Sequence, residues 1–249
     1  MVPAKRLSLL VLLMLCFATM TSAPSTASDL TEALKARDVA QVRSLLAAGA
    51  DVNEKIRGDY PLNIAAVFGP AEMVSLLLDA GADIEKPGLN GLHPLHNAVL
   101  SGHRDIMALL IKKGAMIDAG DSRGHTPFLR FAASAGSDIE IARMLLAAGA
   151  DPRVEDGDLD QPLHYAAQTG NVELGKLLIA ARVDINHAGA DGWSAIQAAV
   201  INSRHEFVKL LIAAGADVNV TRGPLGKSPL SHAGNDAAMR QILIAAGAK

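Results

Sequence analysis

The sequence predicts an all-α solenoid, in which helix-turn-helix units stack side by side and are joined by hairpin-like fingers. Three observations predict it. The 249 residues are half hydrophobic but only 3% aromatic. A core of Ala, Leu, Ile and Val suits close helix packing better than a sandwich of sheets, which favours aromatic and β-branched residues. A Leu- and Ala-rich segment closed by glycine returns at Gly49, Gly81, Gly114, Gly149, Gly215 and Gly247, with Arg182 in the one slot that lacks glycine. The steps are 32, 33, 35, 33, 33 and 32 residues. A second marker keeps the same step, as Tyr60-Pro61-Leu62-Asn63, His93-Pro94-Leu95-His96, Thr126-Pro127-Phe128-Leu129 and Gln161-Pro162-Leu163-His164, then Ser194-Ala195-Ile196-Gln197 and Ser228-Pro229-Leu230-Ser231. A fixed period of this length is the signature of a repeat architecture, in which each unit buries its apolar face only against its neighbours.

The first element is an address label. Lys5 and Arg6 precede an apolar run from Leu7 to Phe17, and small or polar residues follow to Ser28. This is the pattern of a secretory signal peptide over residues 1–27. The apolar run is shorter than the roughly 20 residues that a spanning helix needs. Cleavage after Ala27 is favoured over Ala23, where Pro24 would follow the cut. Cys16 is the chain's one cysteine, and Met14, Leu15 and Phe17 around it do not make a lipidation site. A single cysteine also excludes an internal disulfide and a four-cysteine zinc site. Of the 23 basic residues, 21 remain after cleavage against 26 acidic ones, a net charge of −5. That balance argues against nucleic acid as the main partner.

The repeat domain then fills residues 28–249. Residues 29–53 lack the second marker and form an N-terminal cap. Five full repeats occupy about 54–220, and a shortened unit at about 221–249 caps the C-terminus. Within each repeat, a polar residue followed by Pro starts a short helix, because Pro at the first position has its φ preset and lacks a donor that would be orphaned anyway. A second helix follows, with apolar residues at helical spacing such as Ile106, Leu109 and Leu110. The marker glycine closes it in a left-handed conformation. Arg182 in that slot costs roughly 1 kcal/mol if its backbone is left-handed. The third repeat is two residues longer than its neighbours, and the finger from Val220 to Lys227 is one residue longer.

The two markers in register resemble the ankyrin repeat, with its Thr-Pro-Leu-His opening and Gly-Ala-Asp-Val-Asn close. The resemblance covers about Asp29 to Lys249. It implies a protein-binding module whose finger tips and first helices line a concave face. It also implies that His96 and His164 brace neighbouring fingers. Family contact positions lie two, four and five residues before the marker Pro and three after it. They fall on Arg57 and Asp59 in the first repeat, on Leu89, Asn90 and Leu92 in the second, and on Arg123, His125 and Arg130 in the third. In the fourth they are Asp158, Asp160 and Tyr165, and in the fifth Asp191 and Trp193. Trp, Tyr and Arg are the usual anchors of interfaces. Arginines gather toward the first half and aspartates toward the second, so a polarised groove is expected. Trp193 either anchors a partner or packs on the next finger.

No enzymatic chemistry is legible. Apart from His96, His103 and His164, the histidines His93, His125, His187, His205 and His232 show no short ligand spacing, and no nucleophile elbow, phosphate loop or paired-carboxylate motif is present. Glu155, Asp156, Asp158 and Asp160 form an acidic finger that fails the calcium-loop pattern and reads better as a contact patch for a basic partner. No cofactor and no metal are expected. The sequence points to an exported monomer, periplasmic or secreted, that binds another protein and does not insert in a membrane once cleaved. Inhibitor, immunity and escort roles fit, as does an effector acting on host proteins; a metal-dependent hydrolase fits least.

Overall fold

The computed structural model describes residues 27–134, 138–223 and 226–249. The expected signal segment, with Cys16 and both cleavage sites but for Ala27 itself, lies outside the described residues, as do parts of the two lengthened loops. Among the described residues, fourteen α-helices are arranged as seven consecutive pairs. The N-terminal cap is α1 (Ala27–Lys35) and α2 (Val39–Ala47). The first repeat is α3 (Pro61–Phe68) and α4 (Ala71–Asp79), and the second is α5 (Pro94–Ser101) and α6 (Arg104–Lys112). The third is α7 (Pro127–Ala133) and α8 (Ile139–Ala147), and the fourth is α9 (Pro162–Thr169) and α10 (Val172–Ala180). The fifth is α11 (Ala195–Ile201) and α12 (His205–Ala213), before a cap of α13 (Pro229–His232) and α14 (Ala237–Ala245). Among the described residues the extended backbone amounts to two isolated antiparallel bridges, Ile56 with Asp59 and Ala188 with Ser194.

The helices begin where the markers place them. Pro61, Pro94, Pro127, Pro162 and Pro229 each occupy the first turn. In three repeats the third helical residue reaches back to cap the turn. His96 Nδ1 accepts the amide of His93 at 3.2 Å, His164 Nδ1 that of Gln161 at 3.1 Å, and Gln197 Oε1 that of Ser194 at 3.1 Å. The Ser194–Gln197 cap explains how α11 starts without a proline. Carboxylates and an amide oxygen cap outer helices, with Asp38 accepting from Gln41, Asn171 from Leu174 and Asp236 from Met239.

The marker glycines take positive φ, and Arg182 does so at 58°. Leu159 is left-handed too, at 56°, where the other repeats place Gly58, Gly91, Gly124 and Gly192.

Stacking builds one continuous core. Inner helices pack on inner helices along the whole array, and outer on outer, so each unit touches its neighbours. Ala65, Ala66, Ala98, Ala132, Ala166, Ala167 and Ala199 are buried, and their small side chains let the inner helices approach closely. Phe207 lies so close over Gly175 that a Cβ there would meet the ring at 2.6 Å. The loosest outer contact is between α6 and α8, beside the lengthened third repeat. An ion pair from Arg104 Nε to Asp138 Oδ2, at 2.7 Å, bridges that seam.

Candidate protein-binding face

The first two fingers are tight turns. Arg57 and Gly58 both have positive φ, at 52° and 95°, and two hydrogen bonds between Ile56 and Asp59, at 2.8 and 3.0 Å, close the turn. Asn90 and Gly91 repeat the arrangement at 57° and 73°, with Gly88 N donating to Leu92 O at 2.9 Å. Such primed turns match the twist of a hairpin and push their central residues outward. Arg57, Leu89 and Asn90 are accordingly exposed. Neighbouring fingers are tied together by hydrogen bonds, the fourth and fifth also through the His187 ring, 3.1 Å from Leu159 O. Leu89 N donates to Asp59 Oδ1 at 2.9 Å, Ser122 N to Asn90 O at 3.0 Å, and Ala190 N to Asp158 O at 2.7 Å.

The third and fourth fingers are each built around a buried aspartate. Asp121 accepts the amides of Arg123 and His125, at 2.8 and 3.1 Å, and pairs with the Arg130 guanidinium. Burial alone would raise its carboxyl. The Arg123 amide, the Arg130 guanidinium and the His125 amide outweigh that and hold it below the ordinary carboxylate range. Asp156 accepts the amides of Asp158 and Asp160, at 2.9 and 3.0 Å, and the hydroxyl of Tyr165. Burial again pushes upward, and the Tyr165 hydroxyl with the two amides again outweighs it. The His125 ring lies between the two, with Nε2 3.4 Å from Asp156 and Nδ1 4.0 Å from Asp121. Tyr165 itself is held well above its usual range, first by burial and then by the Asp156 carboxylate that its hydroxyl serves.

Between the fourth and fifth fingers lies an open cleft of about 390 Å³. Asp158, Asp160 and Asp191 line one side, Trp193 another, and Ala198 with Ile201 an apolar floor. Trp193 packs at 4.9 Å against the ring of His232, tilted by 49°, and lies against Gly223, and it is half-buried. Asp160 is half-buried, and its carboxyl is raised to about 6, by burial first and then by Asp156, Asp158 and Asp191. A second cleft, of about 210 Å³, lies between the N-terminal cap and the first two fingers, where Arg57, Phe68 and Leu89 meet.

The family model for ankyrin repeats matches in three copies, over residues 30–121, 78–156 and 129–222. The chain belongs to the ankyrin repeat family. An ankyrin repeat domain from Acinetobacter baumannii AYE, known from its crystal structure, is similar to it. The two share 31% identity with a TM-score of 0.69, over 76% of this chain and 99% of that one. None of the curated proteins matches the chain.

Within this ankyrin stack, His96 and His164 brace the neighbouring fingers, with Nε2 at 2.9 Å from His125 O and 3.2 Å from His187 O. Burial holds both rings below the ordinary histidine range, His96 at about 4, so they stay neutral. Among the described residues no three of His, Cys, Asp and Glu converge to hold a metal. No described helix is long and apolar enough to cross a membrane.

The expected contact residues divide by environment. Arg57, Asn90, Leu89, Arg123, Asp158 and Asp191 are exposed, while Asp59, Leu92, His125, Asp160 and Trp193 are half-buried. Arg130 and Tyr165 are turned toward the buried aspartates. The basic stretch expected in the first half therefore reduces to Arg57 and Arg123, because the Arg130 charge is matched by Asp121. Tyr60 is flanked by two ammonium groups, Lys55 Nζ at 5.4 Å and Lys86 Nζ at 5.7 Å from its ring centre. Sequence reasoning missed the role of Asp121 and the exposed Leu159 and Ile201. The signal for the first is visible, since Asp121–Arg130 and Asp156–Tyr165 share a spacing of nine residues.

Proposed function

We propose that this chain is an exported, non-enzymatic binding module that captures one partner protein on its concave face. Ankyrin repeats are a protein-interaction fold, and the observation that supports this particular face is the cleft beside Trp193. A half-exposed indole sits there among carboxylates and over an apolar floor, the composition of an interface anchor. Export to the periplasm rests on the n-region, h-region and small-residue pattern of residues 1–27. An inhibitor, immunity or escort role follows from pairing that compartment with a fold that binds and does not catalyse; fold alone does not fix function.

Two measurements test the reading. Intact mass of the protein recovered from a periplasmic fraction should correspond to a chain beginning at Ser28. A full-length mass there would refute processing after Ala27. Mature chain used as bait in a periplasmic extract should retain one stoichiometric protein, and Trp193→Ala should lose it with the helical circular dichroism unchanged. Equal capture by the variant would remove the groove assignment. Several abundant partners would favour a scaffold, and capture only from host extracts would favour an effector.

A further inference from the structure

We propose that the cleft between the fourth and fifth fingers receives an arginine side chain, presented on an extended segment of the partner. This rests on the concave face being the binding face and adds the chemistry of what enters it. Three carboxylates, Asp158, Asp160 and Asp191, converge on the cleft, and no Lys or Arg lines it. His164, which also borders it, is held neutral by burial. The negative charge is therefore uncompensated by the walls. Of the cations outside the lining, Arg130 is paired with Asp121 and Arg204 Nε is engaged by the Gln168 carbonyl at 2.9 Å.

Acidity alone would be satisfied by solvent sodium. The other walls make the cleft selective. Trp193 presents an indole that is already packed on His232 on one side and half-exposed toward the cleft. Ile201 is 47% exposed and supplies an apolar floor. An arginine matches all three surfaces at once. Its aliphatic stem lies along Ile201, its planar guanidinium stacks on an aromatic face, and its fork donates to carboxylates. Lysine offers only a point charge to the same walls. An extended segment fits because the fingers already run as parallel ridges, so a chain lying between them delivers a side chain downward.

Trp193 is the chain's single tryptophan, so its fluorescence reports the cleft directly. The mature chain is titrated with a hexa-arginine amide, with hexa-citrulline and hexa-glutamate as probes of equal length. The expected result is a saturable change with hexa-arginine and none with the other two. Asp158→Asn combined with Asp191→Asn should weaken the arginine peptide at least tenfold, while Glu173→Gln on the outer helix α10 should leave it unchanged. An unchanged tryptophan signal up to millimolar peptide, an equal response to hexa-citrulline, or full affinity in the double variant would each overturn the proposal. If the bait still retains its partner through Trp193 while hexa-arginine fails, the concave-face reading stands and the arginine assignment alone falls.

Discussion

The third and fourth fingers begin from the same device. Each buries an aspartate six residues before the helix-starting proline and fastens two backbone amides to it, and each calls on the inner-helix residue nine positions later to answer the remaining oxygen. In the third finger that residue is Arg130, which cancels the charge. In the fourth it is Tyr165, which satisfies the oxygen with a hydroxyl and leaves the charge in place. Asp160, raised first by burial and then by the uncancelled Asp156 beside it, is pushed up to about 6. The inner-helix residue thus decides whether the buried aspartate keeps its charge, and Asp158 and Asp160 in place of Arg123 and His125 add the acidic rim. The lesson is that the surface charge of a repeat is set partly by which side chain lies beneath it.

The largest test is to remove the shared aspartate's charge from the third finger. Asp121→Ala leaves the Arg130 guanidinium without its partner in a mostly buried site and should cost about 3 kcal/mol in urea unfolding. Tyr165→Phe removes one hydrogen bond to a carboxylate and should cost about 1.5 kcal/mol. Equal costs would break the distinction between cancelled and uncancelled charge. The two fingers differ also at the slot three before the proline, Gly124 in one and Leu159 in the other, both left-handed. Leu159→Gly should gain about 1 kcal/mol, and Gly124→Ala should lose a similar amount. A destabilised Leu159→Gly would mean that its side chain, 46% exposed, has packing worth more than the backbone strain.

The smallest effect is a pH dependence. An unfolded aspartate ionises near 4, whereas Asp160 does so at about 6. Ionisation is thus disfavoured by the fold, so this group's contribution to stability is complete below about pH 4 and is lost as pH rises through about 6. Asp160→Asn should raise the melting temperature at pH 7.5 and leave it unchanged near pH 4. A variant that is stabilised equally at both values would assign the effect to packing. The third finger, with Asp121 held below the ordinary range, should show the opposite trend and lose stability as the solution turns acid.

The architecture was legible because periodic markers are local. A proline at a helix start and a glycine at its end dictate backbone conformation within a few residues, so fingers, pairs and caps follow from spacing alone. The same spacing put Trp193 on a finger and Asp158, Asp160 and Asp191 at contact positions of adjacent repeats. It did not say which way Arg130 and Tyr165 point. Both occupy a family contact position, and orientation there depends on whether an aspartate nine residues earlier is buried, which is a tertiary fact. The strain at Leu159 sits between these cases. Its slot holds glycine in the other full repeats, and comparing the repeats position by position exposes the exception, but only the backbone angle shows that the left-handed turn persists without glycine.

The outer edge of the stack carries a different kind of information, about stiffness. Asn53, Asn186 and Asn219 each clamp the next unit twice. Their amides donate to the carbonyls of Gly81, Gly215 and Gly247, and their oxygens accept from Asp83, Asp217 and Lys249. Midway along, the equivalent positions are Glu85 and Asp118, carboxylates that only accept, from Met116 and Asp151, and Arg153, which only donates, to the Arg182 carbonyl. There the clamp is halved, and the α6–α8 contact beside it is the loosest of the outer series. An array clamped doubly toward its ends and singly in its middle has its weakest outer seam in the middle, bridged there by the Arg104–Asp138 ion pair. That seam lies between the finger bearing Arg57 and the cleft bearing Trp193, so it is where a change in the span between those two anchors would be taken up.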